Sequence, residues 1–149
     1  MIDKLPFKEI PPPAFDNDFV SILLFESRSL LVLEWKRQIS LEERKVGFWK
    51  GLELTNQYQI KNWIIDDLQL YIISPEEKEW VITEWTTEAS KSSILKLGVV
   101  CADYYPALVA NTEFTDQGKE QYESKGVIEH EVFTDYTSAL FWIYPDGAV

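Results

Sequence analysis

Two strong helix-start signals divide this sequence into alternating strands and helices. In each, a serine precedes a glutamate by three residues, so that each side chain can bond the other residue's backbone N–H. These capping boxes are residues 40–43 (Ser-Leu-Glu-Glu) and 74–77 (Ser-Pro-Glu-Glu), and the second has proline at the first helical position. The short apolar segment 62–66 lies between the two helices that they start. This spacing predicts a crossover connection and a partly parallel sheet.

Apolar runs rich in branched and aromatic residues predict the strands. We expect strands at 19–25, 30–35, 62–66, 94–102 and 128–133, with the first two forming a hairpin. We expect helices at 41–58, 75–89, 115–124 and from about 135 onward. The predicted fold is a single α/β domain with a mixed sheet of four to five strands and about four helices, in the order β-β-α-β-α-β-α-β-α. Residues 1–15 form a Pro-rich N-terminal arm on the surface, and residues 16–149 form the domain.

The charge balance constrains the kind of partner. The chain has 14 basic and 25 acidic residues, for a net charge of −11. This balance argues against binding nucleic acid through phosphates and against docking on anionic membranes. Residues 103–135 carry eight of the carboxylates against two lysines. A charged partner should therefore be basic and meet this part, although a solvated acidic face is the simpler interpretation.

The chain has one cysteine and one histidine, and the sequence around each gives little indication of a catalytic or metal-binding role. Cys101 lies in an apolar run, which is typical of a buried, inert thiol. His130 lies between two glutamates, and we expect it to face solvent or the sheet rim. The N-terminus lacks the basic-then-apolar order of a signal peptide, and no apolar run approaches the roughly 18 residues of a membrane span. We expect a cytoplasmic protein without a cofactor.

The strongest case for an enzyme uses Asp66 and Asp67 at the end of a predicted central strand. Ligands often bind at this edge of open α/β sheets, and paired carboxylates can hold a metal or exchange protons. Adjacent strand residues point to opposite faces, however, and the spacing shows no third ligand. We therefore predict no metal site and no catalytic residue, and take both aspartates as candidate binding residues.

Six tryptophans are many for this length. Most fall on apolar stripes and should fill the core, while Trp35 and Trp85 border polar stretches and are candidates for lining a groove or a dimer contact. Gly47 and Gly51 lie four apart on one helix, which favours close packing on a sheet over a dimer seam.

The order of elements and several short segments resemble the STAS/SpoIIAA-like superfamily, the fold of the anti-sigma-factor antagonists. More closely, the chain resembles a branch of short uncharacterised bacterial proteins within it. The match spans roughly residues 18–144 and rests on the following segments: 63–66 (Trp-Ile-Ile-Asp), 73–76 (Ile-Ser-Pro-Glu), Trp80, 94–100 and 133–143. The resemblance implies a SpoIIAA-like domain with a regulatory role.

The chain departs from this family at the helix start after the central strand. The antagonists carry an Asp-Ser-Ser-Gly-like motif there, with a serine that a kinase phosphorylates. In this sequence proline stands where the modified serine is expected, and Ser74 is already the helix cap. Glu76 and Glu77 would repel a phosphate. We therefore expect no phosphorylation switch of the usual kind, and keep Ser74 only as a candidate binding residue.

Three functions follow from these observations. The preferred one is a non-enzymatic regulatory or protein-interaction module whose partner is another protein or a second copy of the chain. The second is a carrier of a small apolar, lipid-like ligand, because related lipid-exchange domains look like elaborations of the same fold. The third is a carboxylate–metal enzyme that uses Asp66 and Asp67.

Overall fold

The computed structural model describes residues 5–103, 111–113, 115–117, 119 and 128–147. The strands are β1 (Phe15–Asp16), β2 (Val20–Phe25), β3 (Leu30–Trp35), β4 (Asn62–Asp67), β5 (Lys96–Cys101) and β6 (Glu129–Phe133). The helices are α1 (Leu41–Tyr58), α2 (Pro75–Trp80), α3 (Thr86–Ala89) and α4 (Tyr136–Ile143). A π-helical turn, Val81–Trp85, joins α2 to α3. Residues 111–113, 115–117 and 119 are also helical, and those from 115 onward belong to the predicted third helix. Residues 118 and 120–124 of that prediction lie outside the described residues.

The strands form one mixed sheet in the order of the sequence, from β1 to β6. β1, β2 and β3 pair antiparallel, and β3 to β6 pair parallel. This confirms the predicted α/β class and mixed sheet, but the six strands exceed the predicted four to five. The additional strand is β1, whose two residues pair with Ile22 and Ser21. So short a strand has no alternating pattern from which it could be predicted.

Both predicted capping boxes are present. Ser40 begins α1 and Ser74 begins α2, and each serine exchanges hydrogen bonds with the glutamate three residues later. The first helix ends at Tyr58, as predicted, where Gln59 takes the left-handed conformation. The second helical segment ends at Ala89, so the chain turns before β5 at the predicted place.

The sheet carries a hydrophobic core on each face, because alternate residues of every strand point to opposite sides. One face, here called the helix face, packs against α1, α2, the π turn and α3 through a cluster that includes Trp35, Trp63 and Trp85. The other face, here called the arm face, packs against α4 and the N-terminal arm. The arm is therefore attached to the domain: Leu5 and Phe7 are buried, and the Phe7 ring lies 4.9 Å from that of Phe25.

Two glycines let α1 lie close to the sheet. A Cβ at Gly47 would lie 2.7 Å from Trp35 Cζ3, and one at Gly51 would lie 2.6 Å from Trp63 Cη2. The helix backbone thus rests directly on two indole rings of β3 and β4. This confirms that the glycine pair serves packing on the sheet.

Candidate functional site

Four ionisable side chains from four elements lie beneath the helices, on the helix face of the sheet. They are Arg44 of α1, Glu77 of α2, Asp67 of β4 and His130 of β6, and none is more than 5% exposed. Side chains of these types are seldom buried to this extent unless they are paired. We call this group the buried polar cluster.

The ion pair at the centre of the cluster joins α1 to α2. Arg44 Nε donates to Glu77 Oε1 over 3.0 Å. The other oxygen of this carboxylate, Oε2, accepts from the Ser74 backbone N–H over 2.8 Å, and Ser74 Oγ accepts from the Glu77 N–H over 3.1 Å. Glu77 therefore holds the helix start and the buried guanidinium together. Ser74, a candidate binding residue from the sequence, is engaged as the helix cap.

Asp66 and Asp67 point to opposite faces of the sheet. Asp67 enters the buried polar cluster, whereas Asp66 lies on the arm face. There its Oδ2 accepts from the Tyr136 hydroxyl over 2.6 Å and its Oδ1 accepts from the Leu68 N–H over 2.9 Å. The structure does not bring the two carboxylates together. Among the described residues, no group of three or more His, Cys, Asp or Glu side chains is placed to hold a metal ion.

Burial dominates the protonation of Asp67. Its pKa is raised to about 7, mainly because the side chain is removed from water. The charge of Arg44 opposes this increase, and the charges of Asp66 and Glu77 add to it. A carboxyl of this kind changes its protonation near neutral pH, which is characteristic of groups at functional sites.

The prediction that His130 faces solvent was wrong. The residue lies on β6, the edge strand of the sheet, but its side chain is only 5% exposed and contributes to the lining of a cavity together with Arg44 and Asp67. Strand alternation explains the error, because Glu129 and Glu131 lie on the opposite face of β6 from the histidine between them. Burial, together with the smaller effect of the positive charge of Lys119, lowers the pKa of His130 to about 3. The imidazole is therefore neutral at physiological pH.

A small cavity adjoins the buried polar cluster. Its volume is about 20 Å³, and its polar lining comes from Arg44, Asp67, His130, Asn111 and Thr115. Its apolar wall includes Val81 and Trp85, the first and last residues of the π turn. Pockets for drug-sized ligands span roughly 300–1,000 Å³. This cavity has room for about one water molecule.

Trp35 and Trp85 lie in the core. Trp35 is fully buried and stacks on Phe48 with ring centroids 5.8 Å apart. Trp85 is 1% exposed, and its Nε1 donates to the Phe48 carbonyl over 3.2 Å. The free thiol of Cys101 is also buried, as predicted, and burial raises its pKa to about 11. The two tryptophans therefore contribute to the packing of the core.

An exposed apolar pair lies between β4 and α2. Tyr71 is 53% exposed and Ile72 is 68% exposed. The side chain of Gln38 braces this segment: its Oε1 accepts from the N–H groups of Tyr71 and Ile72 over 3.0 and 3.4 Å, and its Nε2 donates to the Ile72 carbonyl over 2.8 Å. We call residues 70–73 the apolar loop. It lies at the carboxyl end of the parallel strands, where open α/β sheets usually bind ligands.

Sequence reasoning missed the two residues that organise these features. Arg44 occupies a position on the same helical stripe as Leu41, Phe48 and Leu52, and a charge on an apolar stripe was the available signal. Gln38 gave no signal, because its role depends on a loop more than 30 residues away.

Comparisons of this chain with protein-family models, curated proteins and solved structures find no match. No helix among the described residues is both long and apolar enough to cross a bilayer.

Proposed function

We propose that this protein is a non-enzymatic protein-interaction module of the STAS/SpoIIAA-like kind, with the apolar loop as part of its contact surface. The observation that carries the proposal is the exposure of Tyr71 and Ile72 on a backbone that Gln38 holds in place. Binding residues are often found on loops that a rigid scaffold positions. A loop that is already ordered loses less entropy on association.

The resemblance to the STAS/SpoIIAA-like superfamily supports a contact surface in the same region. The apolar loop directly precedes residues 74–77, the segment at the position of the antagonists' helix start. Because Ser74 caps the helix and is followed by proline and glutamate, we propose recognition through side-chain contacts at this end of the sheet, without a phosphate switch. The net charge of −11 favours a partner with an apolar centre and a basic rim.

The buried polar cluster supports neither alternative function. The cavity at the buried polar cluster, at about 20 Å³, is far smaller than a lipid-like ligand needs. The carboxylate–metal hypothesis requires Asp66 and Asp67 to share a site, and they face opposite sides of the sheet.

Affinity capture with matched baits tests the proposal. The baits are the wild type, a variant with Tyr71→Ser and Ile72→Ser, and a Phe141→Ser control that removes an equally exposed apolar side chain from α4. We expect a protein, or a second copy of the chain, to be enriched on the wild-type and control baits and lost on the loop variant. An identical set of proteins on all three baits contradicts a role for the loop. A strictly monomeric wild type that enriches no protein contradicts the function itself.

A further inference from the structure

Two side chains of the buried polar cluster each have one polar atom without a partner among the described residues. Arg44 Nη2 and Asp67 Oδ1 are both buried, and neither forms a hydrogen bond within the part of the chain that the structure describes. Leaving such a group without a partner costs roughly 1–3 kcal/mol, or more when it is charged. Buried polar groups in native proteins are therefore nearly always satisfied, by protein or by ordered water.

Both residues line the same cavity. Its volume of about 20 Å³ exceeds the roughly 10–15 Å³ that one water molecule requires. Two water molecules would require roughly 20–30 Å³, which is at or above the volume available. The occupant must therefore be very small.

The charges of the cluster define the chemistry of this occupant. Arg44 offers a donor, whereas Asp67 offers an acceptor when ionised, so one molecule must accept from the first and donate to the second. An anion would be repelled by the carboxylates of Asp67 and Glu77, and a cation would be repelled by Arg44. An apolar molecule would leave both atoms unsatisfied. A neutral molecule that both donates and accepts is required.

We propose that this cavity is a binding site for a single water molecule, which accepts a hydrogen bond from Arg44 Nη2 and donates one to Asp67 Oδ1. The water joins α1 to the end of β4, as Glu77 joins α1 to α2. The π turn belongs to the same arrangement, because Val81 and Trp85 form part of the apolar wall around the cavity. This inference is independent of the apolar loop and of any partner.

A crystal structure of the full chain, at a resolution that shows ordered water, tests the proposal directly. We expect one density peak within hydrogen-bond distance, about 2.7–3.2 Å, of both Arg44 Nη2 and Asp67 Oδ1. The proposal is overturned if the cavity is empty, if the two side chains contact each other directly, or if a larger molecule fills the space.

Magnetic relaxation dispersion of the water nuclei provides a second test in solution, because it counts long-lived internal waters. The wild type is compared with Asp67→Asn, which keeps a polar group at the site, and Asp67→Leu, which fills the cavity with an apolar side chain. We expect one fewer long-lived water in Asp67→Leu alone. Equal counts in all three proteins contradict the proposal, and the crystal result decides it if Asp67→Leu does not fold.

Discussion

Replacing Gly51 with alanine tests how closely α1 packs on the sheet. The added Cβ would lie 2.6 Å from Trp63 Cη2 and 3.0 Å from Trp63 Cζ2. Optimal carbon–carbon contacts are about 3.5–4.0 Å, so either the helix or the indole must move. The indole has little freedom, because Trp63 is fully buried and its Nε1 donates to Thr55 Oγ1 over 2.7 Å.

The expected magnitude is the difference between two opposing effects. Overpacking a core costs about 1–3 kcal/mol. Alanine in place of glycine within a helix returns about 0.5–1 kcal/mol. The difference lies between about 0 and 2.5 kcal/mol, so we expect Gly51→Ala to lower the free energy of unfolding by ~1 kcal/mol. For a domain of this size, each kcal/mol corresponds to a fall in Tm of about 2–4 °C.

Urea and thermal unfolding followed by far-UV circular dichroism measure this change. Asn56→Ala, on the exposed side of the same helix, is the control. It should be neutral or slightly stabilising, because an added helix propensity is its main effect at an exposed position. Trp63→Phe removes the outer part of the indole, so Gly51→Ala should cost less in that background than in the wild type. A Gly51→Ala protein that is more stable than the wild type, or whose change in stability is the same in the Trp63→Phe background, refutes the close contact between α1 and β4.

Three further predictions concern the buried polar groups. Glu77→Gln removes the ion-pair partner of the buried Arg44 and should lower the free energy of unfolding by about 3 kcal/mol in urea; an unchanged midpoint contradicts this. The folded-state pKa of Asp67, about 7, lies above its ordinary value of 3.8, so its stabilising contribution is complete below pH 3.8 and is lost as pH rises through 7. The stability of the wild type relative to Asp67→Asn should therefore fall across this window, and a constant difference contradicts it. Tyr136→Phe removes the donor to Asp66 and should cost about 1–3 kcal/mol in thermal unfolding, so an unaltered Tm contradicts that hydrogen bond's role.

Most of the strands and helices could be predicted from patterns that are complete within a few consecutive residues. Both helix starts were predicted because a capping box is complete within four residues, at 40–43 and 74–77. The close packing at Gly47 and Gly51 was predicted because residues four apart share a helix face. The opposite orientation of Asp66 and Asp67 likewise followed from the alternation of side chains along a strand.

Features that depend on contacts between distant segments were not predictable in the same way. His130 was placed at the surface because its neighbours are acidic, yet its burial depends on which face of the sheet the helices cover. The pairing of Arg44 with Glu77 spans 33 residues and two helices. The bracing of the apolar loop by Gln38 spans a similar distance, so neither residue stood out in the sequence.

The most direct test of the proposed interaction function is the affinity of a captured partner, purified and titrated against three forms of this protein. Hot-spot residues typically contribute 2 kcal/mol or more, and every 1.4 kcal/mol corresponds to a factor of ten in Kd. If the apolar loop forms the contact, Ile72→Ala should weaken binding by at least about tenfold, whereas Phe141→Ala should leave Kd essentially unchanged. Equal affinities for the wild type, Ile72→Ala and Phe141→Ala would contradict the interaction surface proposed for this protein.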